Sequence, residues 1–439
     1  MTSNRAALKN AFRPAAELDD PERFAGRSKQ VRELADSLHA IGSTPLIYGD
    51  RGLGKSSLAL QLRLIAMGNL ELLAHLKAER LALSADDFYL VFYVTCTDAT
   101  KTFSDLLQAL VNSAESVDNI ASTSGDAATQ LIDRTTRKKL TLKMVELEST
   151  RKYQTESQRL SYQDLNLEEK LLQLCELLTN ATGQRVLFII DELDRMENTA
   201  GLASFLKAAS SEDLKFVLVG IADHVTDLLA DHQSLERRLM PVKVPLMEEA
   251  ELGQIVLKAQ QFLQENGIDM AFSQEAILHL AKMAAGFPWF THVIGQQAVV
   301  DADERNIKLV SALDVRRAVS GIVENRFAQQ FADTYQMAVR DSVNREKTLR
   351  AFANWREVDI PTGEVYKILN RLKVNGGSTY RAHLCTLDYG SILFVPSFQK
   401  RGLVRFRNEM FKTYVRLRPS IYDGIDDEVR DAWAAHYRE

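Results

Sequence analysis

The residues with the clearest chemical potential form one short string that fits the pattern G-x-x-x-x-G-K-[S/T]. The string is Gly49-Asp50-Arg51-Gly52-Leu53-Gly54-Lys55-Ser56. Glycines let a backbone turn point its N–H groups at phosphate oxygens, and a helix that follows presents its N-terminus to the same anion. Lys55 would reach the β- and γ-phosphates, and the Ser56 hydroxyl would ligate Mg²⁺. We therefore predict an ATP site that includes this string and Ser57; the alternative is a glycine turn beside a surface lysine.

Two acidic residues end a strongly apolar segment further along the chain. The segment Val186–Ile190 is followed directly by Asp191 and Glu192. A carboxylate at the carboxyl end of a parallel strand lies near the ligand crevice of an α/β sheet. Asp191 would orient the hydration shell of Mg²⁺, and Glu192 would align and activate an attacking water. A solvated strand end is the alternative for this pair.

Alternating strands and helices would position these residues. The predicted strands are Pro45–Tyr48, Tyr89–Thr95, Val186–Ile190 and Phe216–Ile221. After the glycine string, Leu58, Leu62, Ile65 and Ala66 fall on one face of a helix. Strands that alternate with helices predict an α/β fold in three layers, α/β/α, with a parallel sheet covered on both faces.

Changes in composition and periodicity divide the chain into five predicted regions. They are an N-terminal arm at 1–23, an α/β core at 24–246 with an insertion at 113–165, a helical lid at 247–339, a winged-helix domain at 340–420 and an acidic tail at 421–439. The arm is expected to be extended, because Pro14 and Pro21 discourage a helix. The insertion is expected to be partly flexible and partly helical.

The winged-helix prediction rests on the order of three helices followed by two extended pieces. The third helix, near Thr379–Leu387, is expected to turn Tyr380, Leu384 and Leu387 inward. The following hairpin is expected to alternate apolar Val404 and Phe406 with outward-facing arginines.

Five basic side chains of this region are candidate contacts to DNA phosphates. They are Arg381 on the third helix, Lys400 and Arg401 at the hairpin turn, and Arg405 and Arg407 on its second strand. A surface that binds another protein, or a solvated basic face, is the alternative.

Charge is distributed unevenly along the chain. The net charge is −5, which does not indicate a general nucleic-acid binder, but residues 340–420 hold 16 Lys/Arg against seven Asp/Glu. The three cysteines are scattered, which argues against a disulfide scaffold and favours a reducing cytoplasm. No apolar run approaches the ~20 residues of a membrane helix, so no membrane partner is expected.

With both motifs placed, the chain resembles the AAA+ ATPases, in the branch shared by origin-recognition-type initiators and STAND-like signalling ATPases. Phe12-Arg13-Pro14 and Phe24-Ala25-Gly26-Arg27 resemble an adenine-contacting arm and its F-x-G-R box. The resemblance implies that Asp223 is a polar sensor, that Arg237 or Arg238 is an arginine finger, and that Pro288 begins a sensor helix of the lid. Packing for Phe12, a helix cap for Asp223 and ion pairing for the arginines are the alternatives.

One departure from the family concerns the lid. Many AAA+ proteins carry an arginine at the sensor position, whereas this chain has Gly286-Phe287-Pro288-Trp289-Phe290 and offers none. The resemblance therefore does not extend to a lid arginine that senses the γ-phosphate.

The resemblance leaves three functions open. The first is an ATP-hydrolysing switch that forms homo-oligomers, because a finger acts across a subunit boundary, and that acts on duplex DNA. The second is a STAND-like signalling or defence ATPase triggered by a protein partner, with any effector on a separate protein. The third is a nucleotide-binding scaffold that hydrolyses little, against which the Asp191-Glu192 pair speaks.

Overall fold

A computed structural model describes residues 2–115, 165–222, 228–229, 235–396 and 402–437. The chain forms two compact units. We call Ala15–Met247 the sheet unit, and Met1–Pro14 together with Glu248–Glu439 the helical unit. The predicted insertion at 113–165 lies outside the described residues apart from its first three residues, which belong to a helix, and its last.

The sheet unit is built on five parallel strands in the order β2-β3-β4-β1-β5. The strands are β1 Thr44–Gly49, β2 Tyr89–Thr95, β3 Arg185–Asp191, β4 Leu214–Ile221 and β5 Leu239–Lys243. In β3 every residue from Val186 to Asp191 is buried, as expected for a central strand covered on both faces. The predicted α/β class and parallel sheet are confirmed. The sequence analysis missed β5, an edge strand that contains Pro241.

Helices cover both faces of this sheet. They are α2 Ser28–Ser37, α3 Lys55–Ala66, α4 Glu71–His75, α5 Phe103–Glu115, α6 Leu167–Thr182 and α7 Leu202–Ala209, with short 3₁₀ turns at Glu79–Leu81, Ala85–Asp87 and Leu193–Arg195. On one face, α5, α6 and α7 enclose a core in which Phe188 stacks between Phe92 and Phe216. On the other face, α3 packs against the strands and α2 packs on α3.

The helical unit begins with α1 Thr2–Ala11. The prediction of an extended arm over 1–23 is therefore wrong for these residues. Pro14 and Pro21 restrict only their immediate neighbours, and α1 ends before the first of them.

The rest of the helical unit runs from α8 to α17. The helices are α8 Glu249–Glu265, α9 Gln274–Ala284, α10 Pro288–Glu304, α11 Ala312–Gly321, α12 Ala328–Val339, α13 Val343–Ala353, α14 Thr362–Arg371, α15 Gly377–Leu384, α16 Glu409–Leu417 and α17 Ile425–His436, with a π-helical segment at Ile322–Phe327 and a 3₁₀ turn at Leu387–Tyr389. The strands are β6 Ala271–Phe272, β7 Leu309–Val310, β8 Ile360–Pro361, β9 Leu393–Phe394 and β10 Leu403–Phe406. β6 pairs with β7, and β10 lies between β8 and β9 in a small antiparallel sheet.

The predicted acidic tail at 421–439 contains a packed helix. In α17, Val429 and Trp433 are buried, and the helix packs on α13 and α14. Arg350 of α13 donates to Asp426 at 2.6 Å and to the buried Glu346 at 3.1 Å. This network attaches α17 to the unit's core, so the last described residues are part of the fold.

Helices of the length and apolar character needed to cross a bilayer are absent from the described part of the chain.

Candidate functional site

The glycine string forms a loop between β1 and α3, as its sequence predicts. The loop is held in conformations that favour glycine, with φ of 149° at Gly49, 80° at Gly52 and 84° at Gly54. A Cβ atom on Gly49 would lie 2.7 Å from the carbonyl oxygen of Val244, so no larger residue fits there. Because α3 begins at Lys55, its first N–H groups face the end of this loop. The geometry suits an anion.

The Lys55 ammonium lies in a confined position at the start of α3. Its Nζ donates to the carbonyl oxygen of Asp50 at 2.8 Å, and the side chain is buried. Burial lowers the pKa of Lys55 to about 8, although the negative charges of Asp194, Asp50 and Asp191 act in the opposite direction. A phosphate group in the loop would supply the counter-charge that this ammonium lacks.

Arg27 connects the phosphate loop to the residues that follow β5. It is buried, has a left-handed backbone conformation, and donates to the carbonyl oxygens of Pro245 at 2.6 Å and Leu53 at 3.0 Å. In the sequence, Arg27 is part of a resemblance to an adenine-contacting box. The structure gives this side chain a role in fixing the phosphate loop against the residues that follow β5.

The Ser57 side chain makes a contact that was not predicted. Its hydroxyl accepts the backbone N–H of Leu18 at 3.0 Å, and Gln61 donates to the Leu18 carbonyl at 2.9 Å. Both contacts attach the chain before α2 to the helix that follows the loop. A phosphate contact by the Ser57 side chain stays a prediction.

Asp191 lies at the carboxyl end of β3, and each of its oxygens accepts one hydrogen bond. The Tyr93 hydroxyl donates to Oδ2 at 2.5 Å, and the backbone N–H of Glu192 donates to Oδ1 at 2.7 Å. Burial raises the pKa of Tyr93, and the Asp191 charge raises it further, so the phenol stays a donor. The Ser56 hydroxyl is near enough to hydrogen-bond to the same phenol, which opposes that rise in pKa.

Glu192 is half-exposed and engaged by a neighbouring cation. Its backbone is left-handed, with φ of 56°, and its carboxylate forms an ion pair with Arg195. Arg195 also pairs with Asp98 at 3.0 Å. The side chains of Glu192 and Arg195 are 42% and 41% exposed, so their pairing contributes on the order of 0–1 kcal/mol and is easily exchanged. Arg195 was not among the predicted site residues, although it lies only three positions after Glu192.

Asp194 connects this acidic segment to the end of β4. Its Oδ1 accepts the backbone N–H of Ile221 at 2.6 Å. A Cβ atom on the preceding Gly220 would lie 2.7 Å from Leu228 and 3.4 Å from the same carboxylate oxygen. The predicted sensor Asp223 follows directly, but it lies outside the described residues.

The two candidate finger residues differ in their surroundings. Arg238 donates to the carbonyl oxygens of Lys207 and Ser210, the latter at 3.4 Å, and is half-buried. Arg237 is exposed and has no hydrogen bond or ion pair with any residue in the described part of the chain. Among the described residues, Arg237 is therefore the less engaged of the two.

The helical unit contains the three residues predicted to reach the nucleotide from the arm and lid. Phe12 is fully buried, lies edge-on to Phe272 and His292, and touches Gly295 so closely that a Cβ there would be 2.3 Å away. The ring is enclosed by core packing, the alternative given for it, and its contact with adenine stays a prediction. The carbonyl of Pro14 accepts Trp289 Nε1 at 2.8 Å, and Pro288 is the first residue of α10. Nucleotide contacts by these two prolines stay predictions.

The predicted DNA-contacting residues differ in their exposure to solvent. Arg407 is exposed and Arg381 is half-exposed, whereas Lys400 and Arg401 lie outside the described residues. Arg405 does not face outward as predicted: it is 5% exposed and its Nε donates to Asp359 at 2.5 Å. Simple alternation failed because β10 is the central strand of its sheet and is covered on both faces.

The third helix also differs from its prediction at one end. Leu384 is buried, but Leu387, predicted to turn inward, is 83% exposed because α15 ends at Leu384. Beside it lies a basic cluster that the sequence analysis did not identify. The guanidinium carbons of Arg340 and Arg345 lie 4.1 Å and 5.3 Å from the ring centre of Tyr389.

Comparisons with known proteins found similarity to solved structures only. No family model matches the chain. No curated protein matches it. Among solved structures, the chain is similar to Cdc6p from Pyrobaculum aerophilum, with 14% identity over 92% of this chain and 94% of that chain and a TM-score of 0.42. It is also similar to the Aeropyrum pernix ORC2 protein (14% identity, 90% and 89% coverage, TM-score 0.43) and to Thermotoga maritima RuvB, the Holliday junction branch migration motor (14%, 91% and 97%, TM-score 0.39). At these TM-scores the likeness decides neither family nor activity.

The lowered pKa of Lys55 predicts how triphosphate binding depends on pH. The free protein loses the Lys55 proton as the pH rises through about 8, whereas a bound phosphate favours the charged form. Affinity for ATP should therefore be constant below pH 8 and fall above it, by up to about tenfold per pH unit. Isothermal titration calorimetry between pH 7.5 and 9.5 would measure this change, and proton uptake should accompany binding at the upper end. An affinity that does not change over this range would contradict the assignment.

Proposed function

We propose that the chain is an ATP-binding and ATP-hydrolysing switch of the AAA+ type. One observation carries the proposal: the phosphate loop with Lys55 and Ser56, and the acidic pair of Asp191 and Glu192, lie at the same edge of one parallel sheet. β4 lies between β1 and β3, so the loop and the acids are separated by a single strand. This is the crevice in which open α/β sheets bind ligands.

The oxygen donors at this edge suit Mg²⁺. The Ser56 hydroxyl and the Asp191 carboxylate are hard ligands, and the Asp191 carboxylate accepts the Tyr93 hydroxyl at 2.5 Å. Mg²⁺ is usually held by one or two protein oxygens together with phosphates and waters, which is the number of ligands available here. When bound, the ion offsets charge on the phosphates. Lys55 would bind the β- and γ-phosphates, and Glu192, released from Arg195, would orient the attacking water.

Arg237 is our choice for the arginine finger. It is exposed and unpartnered among the described residues, whereas Arg238 is occupied by two carbonyl oxygens of its own unit. A finger placed in a second copy of the chain would stabilise charge on the γ-phosphate, so we propose a homo-oligomer as the active form. Asp223 is retained as the proposed polar sensor on the strength of its sequence position alone.

Residues 340–420 support duplex DNA as a second ligand. The order α13, β8, α14, α15, β9, β10 is the order of a winged helix, and α15 is the helix that would approach a groove. Arg407 and the Arg340–Arg345 cluster around Tyr389 provide charge on this module, and Lys400 and Arg401 would extend it. The alternative is a STAND-like cytoplasmic ATPase in which a protein partner binds this module.

ATP hydrolysis by the purified protein is the first test of the proposed function. Glu192→Gln should lower kcat by about 10²–10⁴-fold with ATP binding retained, because it removes only the base that orients water. Lys55→Ala should abolish binding itself. Lys207→Ala, an exposed lysine of the same unit, is the matched control and should change neither quantity. Equal hydrolysis by the wild type and Glu192→Gln would reject the assignment of this carboxylate.

Mixing two inactive variants tests the finger. Arg237→Ala should lower hydrolysis by about 10³-fold or more, because a finger typically contributes that much. Since Arg237→Ala retains Glu192, and Glu192→Gln retains Arg237, a mixture of the two should recover activity at the interfaces where both intact groups meet. Loss of hydrolysis in Arg238→Ala that mixing with Glu192→Gln restores, or no recovery in the mixture with Arg237→Ala, would overturn this choice.

Salt titration of DNA binding separates the two candidate functions. If Arg407 contacts a phosphate, Arg407→Ala should weaken binding to all duplex sequences and reduce the slope of log K against log salt by about 0.9. Lys282→Ala, an exposed lysine on α9, is the control and should leave the slope unchanged. No binding of duplex DNA at low salt, with or without ATP, would favour the protein-triggered alternative.

A further inference from the structure

Tyr93 stands out among the side chains at the acidic edge because it belongs to neither sequence motif. It lies on β2, one strand beyond β3, and it pairs in register with Ile189 while Thr95 pairs with Asp191. From this position its hydroxyl crosses to Asp191 Oδ2 at 2.5 Å. β2, which carries neither the phosphate loop nor the acids, therefore contributes a group to the proposed metal end of the site.

The hydrogen bonds around Asp191 determine which of its lone pairs stay available. An ionised carboxylate offers about four acceptor positions. Tyr93 occupies one on Oδ2 and the Glu192 N–H occupies one on Oδ1. Two anchors of this kind fix the plane of the carboxylate while each oxygen keeps acceptor capacity.

We propose that Tyr93 is a positioning residue that orders Asp191 for Mg²⁺, and so sets how strongly Mg²⁺ and ATP assist each other's binding. The proposal rests on the proposed function and deepens it. Groups that orient metal ligands without touching the metal typically contribute 10–100-fold to metal affinity. Without the phenol hydroxyl, Asp191 keeps only its backbone anchor and must be ordered when the ion binds, which costs conformational entropy.

The same strand offers a matched control. Tyr89 lies four residues before Tyr93, is buried, and donates to the carbonyl oxygen of Leu38 at 3.1 Å. It pairs with Arg185, at the start of β3 rather than at its acidic end. Tyr89→Phe therefore removes the same atom and one hydrogen bond from the same strand, but away from the proposed metal ligands.

The test compares the affinity of ATP in excess Mg²⁺ with its affinity in EDTA, for the wild type and both tyrosine variants. The ratio of these two affinities measures the assistance between metal and nucleotide. Tyr93→Phe should reduce the ratio by about tenfold, with the affinity in EDTA within twofold of the wild type. Tyr89→Phe should leave the ratio unchanged, even if it lowers the temperature at which the protein unfolds.

The outcomes that contradict the inference are distinct from those that contradict the proposed function. An unchanged or increased ratio in Tyr93→Phe would overturn the positioning role. Loss of ATP binding in EDTA as well would also overturn it, because the hydroxyl would then support the fold of the site rather than its metal end. Failure of the wild type to bind ATP under either condition would instead reject the proposed function.

Discussion

An ammonium group that is taken out of water needs a negative charge nearby, and the arrangement of this site follows from that requirement. Lys55 has only the carbonyl oxygen of Asp50 as a direct acceptor among the described residues. The carboxylates of Asp191 and Asp194 act on it from further away without reversing the effect of burial. Arg27 fixes the loop around this group by donating to the carbonyl oxygen of Leu53, so the loop has its anion-binding shape without a ligand.

The second constraint is the difference in surroundings between the carboxylates of Asp191 and Glu192. Asp191 is buried and anchored by two donors, whereas Glu192, its neighbour, is half-exposed and paired with Arg195. The two carboxylates therefore differ in mobility: one suits a fixed ligand, and the other suits a group that must reorient around water. A weak exposed pair such as Glu192–Arg195 can be exchanged without a large free-energy change, which makes Arg195 a natural resting partner for the proposed base.

Short sequence motifs predicted part of this site, but contacts between residues remote in the sequence could not be predicted. The phosphate loop and the end of β3 follow from residue types over eight and seven positions, so the sequence sufficed for them. The partners of Phe12 and Arg405 were not predicted because they are remote: Gly295 lies far along the chain from Phe12, and Asp359 belongs to a different segment from Arg405. The contact of Tyr93 was not predicted for the same reason, since a hydrogen bond across strands leaves no periodic pattern. Arg27 was quoted for a resemblance, but its contacts to Leu53 and Pro245 are equally remote in sequence.

Packing of Phe12 against Gly295 has a consequence for the order in which the chain can fold. The ring reaches its partners Phe272, His292 and Gly295 only after some 280 further residues have been synthesised, which takes roughly 15–60 s at common translation rates. Throughout that interval α1 must remain unpaired while the sheet unit, complete at Met247, is already able to form. The nascent chain thus carries Leu8 and Phe12 without the partners that later bury them until well after the last residue of the sheet unit has been added.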